Sequence, residues 1–139
     1  MIRGKLIHPQ ILEALARSGH FSRVLIADGN FPTATVSNPA AKVVFLNLAP
    51  GMLKTTEILE VILEAIPVQE ATVMLPPEPQ KLHEEYQKML PKDARFSMLK
   101  REEFYDLIRS HQTSLVIASG DKRRFANILL TVGVVRFDE

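Results

Sequence analysis

The chain contains no cysteine. This excludes disulfides, thiolate nucleophiles and cysteine-ligated metal sites together, and it fits a reducing, cytoplasmic setting. No apolar run approaches the roughly 18 residues that a membrane span needs, and the opening MIRGKLIHPQ has no apolar stretch ahead of a small-residue cleavage site. A soluble, unprocessed protein without membrane partners is therefore expected. An excess of charge is also missing. Seventeen basic residues face sixteen acidic ones, too even a balance for a broad nucleic-acid footprint. His8, His20, His83 and His111 form no HxxxH or HxH pair, so no metal is expected. GxGxxG, Walker and GxSxG patterns are all absent, which leaves nucleotide binding and serine-nucleophile chemistry without support, and no cofactor is expected.

What is present is patterned for one domain spanning residues 1–139, a length that buries a substantial core. Pro9 suits the first turn of a helix, Ile11, Leu12 and Leu15 form its apolar stripe, and Ser18-Gly19 reads as its stop. Val24-Leu25-Ile26-Ala27 is a nearly continuous apolar run closed by Asp28-Gly29-Asn30, the signature of a strand buried on both faces. Residues 33–41 read as loop and Val43 to Leu48 as a second strand. Ile58, Leu59, Ile62, Leu63 and Ile66 share one face of a helix that starts at Thr55 and ends before Pro67. Ala71 to Leu75 predicts a strand, Pro76 to Pro79 a stiff connector, and Gln80 to Leu90 a polar helix with His83-Glu84-Glu85 on a solvated face. Strands at 96–99, 115–119 and 128–135 and a helix at 102–110 complete a layered α/β domain with a mainly parallel or mixed sheet, in three α/β/α layers.

In such sheets ligands collect beyond the carboxyl ends of strands. Two polar loops fall there: Asp28-Gly29-Asn30 and Gly120-Asp121-Lys122-Arg123-Arg124. The second reads as surface charge. Histidine titrates near neutrality and so suits acid/base work. By position alone, however, His20 is a residue just past a helix-ending glycine, and Asp28 belongs to ordinary turn chemistry. Eight residues of extended chain would hold the two apart by roughly 26 Å. They share a pocket only if residues 20–23 fold back or if a second subunit brings them together.

The order of these features resembles the RbsD/FucU family of D-ribose pyranases and L-fucose mutarotases over nearly the whole chain. The carrying residues are Gly19-His20, the aliphatic strand with Asp28, Phe31-Pro32, Ser119-Gly120, Phe125-Ala126-Asn127-Ile128-Leu129-Leu130 and Gly133-Val134. The resemblance implies an RbsD-like fold and a cofactor-free isomerase acting on a free monosaccharide. In it His20 matches the catalytic acid/base, and Asp28, Asn127 and the ring of Phe125 match substrate-binding positions. Arg101 looks like the arginine of the fucose branch, and Phe31-Pro32 with Phe104-Tyr105 lean the same way. The family's decamers of two stacked pentameric rings, with sites at subunit contacts, imply self-association. Two departures stand out. Phe125 replaces the family tyrosine and lacks its hydroxyl, for which Tyr105 is a candidate stand-in, and Ser22 replaces an aspartate two residues after His20. Rival readings are a non-catalytic sugar-binding protein and a phosphosugar enzyme using Lys122, Arg123 and Arg124.

Overall fold

The aliphatic run around residue 25 forms the centre of the molecule. In the computed structural model, which describes residues 1–138, β1 (Arg23–Ala27) lies inside a six-stranded sheet, and Val24 to Ala27 are fully buried. The other strands are β2 (Lys42–Phe45), β3 (Val68–Met74), β4 (Arg95–Leu99), β5 (Thr113–Ala118) and β6 (Ile128–Val132). Their order is β2-β5-β1-β6-β3-β4. β1, β2 and β5 pair in parallel, as do β3 and β4, and β6 runs antiparallel between β1 and β3. The sheet is mixed, with the one reversed strand at its middle.

Side chains alternate across a strand, so β1 feeds two cores. Val24 and Ile26 pack with Ile11 and Leu15 of α1 (Pro9–Arg17), Leu59 and Ile62 of α3 (Thr55–Ala65), and Leu82 and Tyr86 of α4 (Lys81–Met89). Leu25 and Ala27 face Val36 of α2 (Thr33–Val36) and Phe104 and Ile108 of α5 (Arg101–Arg109). Helices thus cover both faces, giving the expected three layers, and each fully buried aliphatic side chain contributes about 1.5–3 kcal/mol.

Local chemistry explains most boundaries. Pro9 opens α1 as expected, with the His8 imidazole accepting the Ile11 N–H at 3.4 Å. That helix ends at Ser18, whose hydroxyl donates to the Ala14 carbonyl, and Gly19 is not its left-handed stop. The Thr-rich stretch read as loop contains the single turn of α2, held by the Val36 N–H on the Pro32 carbonyl. β2 stops at Phe45 and β6 at Val132, both shorter than their apolar runs, because their ladder partners end there. β3 starts three residues earlier than its apolar run, at Val68. Among the described residues no helix is long and apolar enough to cross a membrane.

Candidate functional site

β1 and β5 end together in register at Ala27 and Ala118, and Ile128 at the start of β6 lies opposite both Ile26 and Val73. The segment after β1, the segment joining β5 to β6, and the end of β3 therefore meet at one edge of the sheet. The Gly29 N–H donates to the Asp121 carbonyl at 2.9 Å. A Cβ at Gly29 would lie 3.1 Å from that oxygen, so glycine permits the approach. The two polar loops placed at strand ends by the sequence are thus in contact.

Between them opens a cleft of about 530 Å³, within the size range of small-molecule sites. Asp28, Asn30 and Asn127 line it with polar groups, Phe31, Tyr105 and Phe125 with rings, and Arg101 and Arg124 with positive charge. Asp28 and Asn127 are each only 5% exposed. The Asp28 backbone N–H donates to Asn127 Oδ1 at 2.7 Å, which leaves the Asn127 amide N–H groups to donate elsewhere. The Asp28 carboxylate accepts the Asn30 N–H at 2.9 Å. Burial pushes the Asp28 carboxyl above its ordinary range, and backbone N–H groups of Asn30, Ala126 and Phe31 only partly offset this. Phe31 and Tyr105 meet edge to face, with ring centres 5.7 Å apart.

Four of the five candidate residues, Asp28, Arg101, Phe125 and Asn127, therefore share one cleft, and the fifth does not. His20 is at the opposite edge. Its Nε2 lies 2.8 Å from Gln69 Oε1 near the start of β3, while Met74, at the end of that strand, lines the cleft. Five extended residues correspond to roughly 17 Å. Residues 19–22 do turn, with the Ser22 N–H on the Gly19 carbonyl and Phe21 at φ 71°, but the Phe21 N–H binds Val132 at the far end of β6. The turn holds His20 away from Asp28.

The wall of the cleft depends on buried residues whose sequence context suggests exposure. His83 is not solvated: it is 2% exposed, and its Nε2–H donates to the Phe125 carbonyl at 2.8 Å. Its buried Nδ1 has no partner. Phe125 is a non-glycine residue at φ 60°, a conformation that needs outside support. Tyr86, fully buried, adds a hydroxyl donated to the Ala126 carbonyl. From sequence α4 reads as polar because Glu84 and Glu85 dominate it. The spacing of Leu82, Tyr86 and Met89 was the available sign of an inward face, and His83 sits beside Leu82 on that face.

Arg123 is likewise not plain surface charge. Its Nη2 donates to Asp121 Oδ2 at 2.7 Å and its Nε to Oδ1 at 3.0 Å. Asp121, 2% exposed, also accepts the Thr55 N–H at 2.8 Å and hydroxyl at 3.0 Å, so it caps α3 from across the fold. Burial alone would raise the Asp121 carboxyl, but the Arg123 guanidinium and these N–H and hydroxyl donors outweigh it and hold the group well below the usual carboxylate range. The Tyr86 hydroxyl joins the network at 2.6 Å from Thr55 Oγ1, and burial pushes it well above the usual phenol range. Lys122 faces a neighbouring cleft formed with Asn47 to Pro50.

Among the described residues no three His, Cys, Asp or Glu side chains converge as a metal site. The arrangement can hold a small polyhydroxylated molecule by hydrogen bonds and ring contacts.

Known proteins share this architecture. A fucose mutarotase from Mus musculus is 27% identical over an alignment of 144 positions, covering 94% of this chain and 92% of the relative. A D-ribose pyranase from Bacillus cytotoxicus is 26% identical, covering 94% and 95%. The solved Bacillus subtilis RbsD complexed with D-ribose superposes with a TM-score of 0.86 at 22% identity, over 98% of this chain and 100% of that one. The model of one family, described as the RbsD / FucU transport protein family, matches residues 1–135, and the chain belongs to that family.

Proposed function

We propose that the protein is a sugar mutarotase, interconverting anomers or ring forms of a free monosaccharide by cofactor-free acid/base catalysis. The observation that carries this reading is the meeting of Asp28 and Asn127, two buried polar side chains from opposite ends of the chain, in one cleft with Arg101 and Phe125. Relatives named fucose mutarotase and D-ribose pyranase support the reaction class. In this reading a base removes the proton of the anomeric hydroxyl and an acid protonates the ring oxygen, so the ring opens, the aldehyde rotates and the ring recloses. Asp28 accepts from sugar hydroxyls, the free Asn127 N–H groups donate to them, and the Phe125 ring packs against the apolar face of the sugar. Arg101 orients it.

His20 supplies one proton transfer, from a second copy of the chain. Two exposed apolar groups support self-association: Phe45, Leu48, Met52 and Leu53 at and after the end of β2, and Val134 and Val135 beside the turn that carries His20. A closed homodecamer of two pentameric rings is the assembly we infer.

The test is NMR exchange spectroscopy of L-fucose, D-ribose and D-galactose anomers with the purified protein. The wild type is expected to accelerate exchange, and His20→Ala and Asn127→Ala each to reduce it by about 100-fold or more. Mixing the two variants under conditions of subunit exchange should restore part of the rate, since some contacts then pair an intact His20 with an intact Asn127. Phe125→Tyr, which adds a hydroxyl to the cleft, should raise the rate. Unchanged exchange with all three sugars in both the wild type and Phe125→Tyr would overturn the reading in favour of a binding protein.

A further inference from the structure

The cleft at Asp28 carries a second arginine, Arg124, beyond the Arg101 that orients the sugar. Arg101, the first residue of α5, and Arg124, in the segment leading into β6, line the same cleft from different elements. The Arg124 guanidinium carbon lies 5.5 Å from the centre of the Phe125 ring, which fixes its end of the side chain against the cleft wall. Among the described residues neither arginine has a carboxylate within 4.0 Å, so the charge of each is open to a ligand. Arg123, the immediate neighbour of Arg124, is already occupied by Asp121. The cleft holds a single acid, Asp28, which is buried and already accepts the Asn30 N–H through Oδ1. Burial further disfavours its charged form. Two exposed arginines therefore line one cleft that holds at most one negative charge.

A guanidinium presents a planar fork of N–H donors that matches a carboxylate or phosphate in pairs. A neutral sugar offers only hydroxyls, which can accept an arginine N–H but leave its charge unmatched. An anionic substituent can pair with the guanidinium groups of both arginines. We propose that the cleft takes an anionic monosaccharide, with Asp28 and Asn127 on its ring hydroxyls and Arg101 and Arg124 on its carboxylate or phosphate. The binding preference stands on the cleft alone, and its catalytic consequence rests on the mutarotase reading.

The experiment compares D-galactose with D-galacturonate and D-galactose 6-phosphate, which share their ring hydroxyls and differ at C6. Equilibrium binding to the wild type by calorimetry, at about 50 mM salt, is expected to favour one or both anions by about tenfold or more, the size of effect that charge-assisted hydrogen bonds give. The larger gain identifies carboxylate or phosphate as the group recognised. The preference should shrink as salt is raised to about 0.5 M, because both arginines are solvent-exposed. Arg124→Gln should bring the anion-to-galactose ratio close to one, and Arg124→Lys, which keeps the charge but not the fork, should leave an intermediate ratio. Equal affinities for the neutral and both anionic sugars overturn the proposal, as does a preference that Arg124→Gln leaves intact.

Anomer exchange of the same three sugars separates this proposal from the mutarotase reading. Accelerated exchange without an anion preference in binding sinks the present inference and keeps the reaction. Tighter anion binding with no accelerated exchange of any sugar keeps the inference and sinks the reaction.

Discussion

Replacing Arg123 by methionine tests whether the Asp121 network holds the wall of the cleft in place. Methionine keeps most of the aliphatic stem and removes the guanidinium, leaving Asp121, 2% exposed, with only the N–H and hydroxyl donors of Thr55 and its own loop. Removing one partner of a fully buried pair costs about 3–5 kcal/mol. The Arg123 side chain is 37% exposed, so solvent screening lowers the expected loss to about 1.5–3 kcal/mol. At ~2.1 cal/mol/K per residue, a chain of 139 residues has an unfolding entropy of about 0.29 kcal/mol/K, so the melting temperature should fall by about 5–10 °C at pH 7. The Asp121 carboxyl is held below its unfolded value of 3.8, so the stability it contributes is present above that value and is lost as pH falls through the folded one. The gap between wild type and Arg123→Met should therefore narrow between pH 4 and about pH 2.5. Calorimetric melting of both proteins across this range is the assay. A melting point within about 1 °C of wild type at pH 7, or a gap that does not change with acid, would refute the assignment of stability to this pair.

Further outcomes follow from the same geometry. His83→Leu removes the donor to the Phe125 carbonyl and should weaken sugar binding measured by titration, by up to about tenfold, whereas His83→Gln, whose amide reaches the same position as Nε2–H, should retain most of it. Equal loss in both variants would show that the hydrogen bond is not what matters. Asp28→Asn should melt higher than wild type at pH 7 while binding sugar more weakly. The raised carboxyl of Asp28 contributes stability that is full below pH 3.8 and is lost as pH rises through its folded value, so the two melting curves should converge in acid. Gly120→Ala would drive a Cβ into the backbone carbonyls of Ala49 and Met52. Urea unfolding should show a loss of about 2 kcal/mol or more, and a loss below about 0.5 kcal/mol would mean that the loop at residues 49–53 yields freely.

The elements with strong local signals were legible in the amino-acid order. Val24 to Ala27 reads as a doubly buried strand because both sides of it must be apolar, and Ile58, Leu59 and Ile62 mark a helix face by spacing alone. The rule that ligands gather beyond strand ends also picked out Asp28-Gly29-Asn30 and the loop after Gly120, which the structure places in contact. His83 and Arg123 are not legible in this way, because His83 is held by the Phe125 carbonyl 42 residues away and Arg123 pairs with an Asp121 that is buried by capping Thr55, 66 residues away. A charged or titratable side chain in a polar stretch is solvated unless the fold turns that face inward.

Chain order by itself therefore determined the α/β layering, the main helices and strands, and the two loops that carry polar chemistry. These follow from periodicity and turn residues, which act over a few positions. Tertiary structure alone decided that β6 enters antiparallel between β1 and β3, since strand pairing is a contact between distant segments. That placement brings Asn127 to Asp28 at 2.7 Å and Arg124 into the same cleft as Arg101, and it leaves His20 at the other end of the sheet. The physical reason is that a strand carries its two ends to opposite edges, so residues eight apart in sequence separate while residues 99 apart meet.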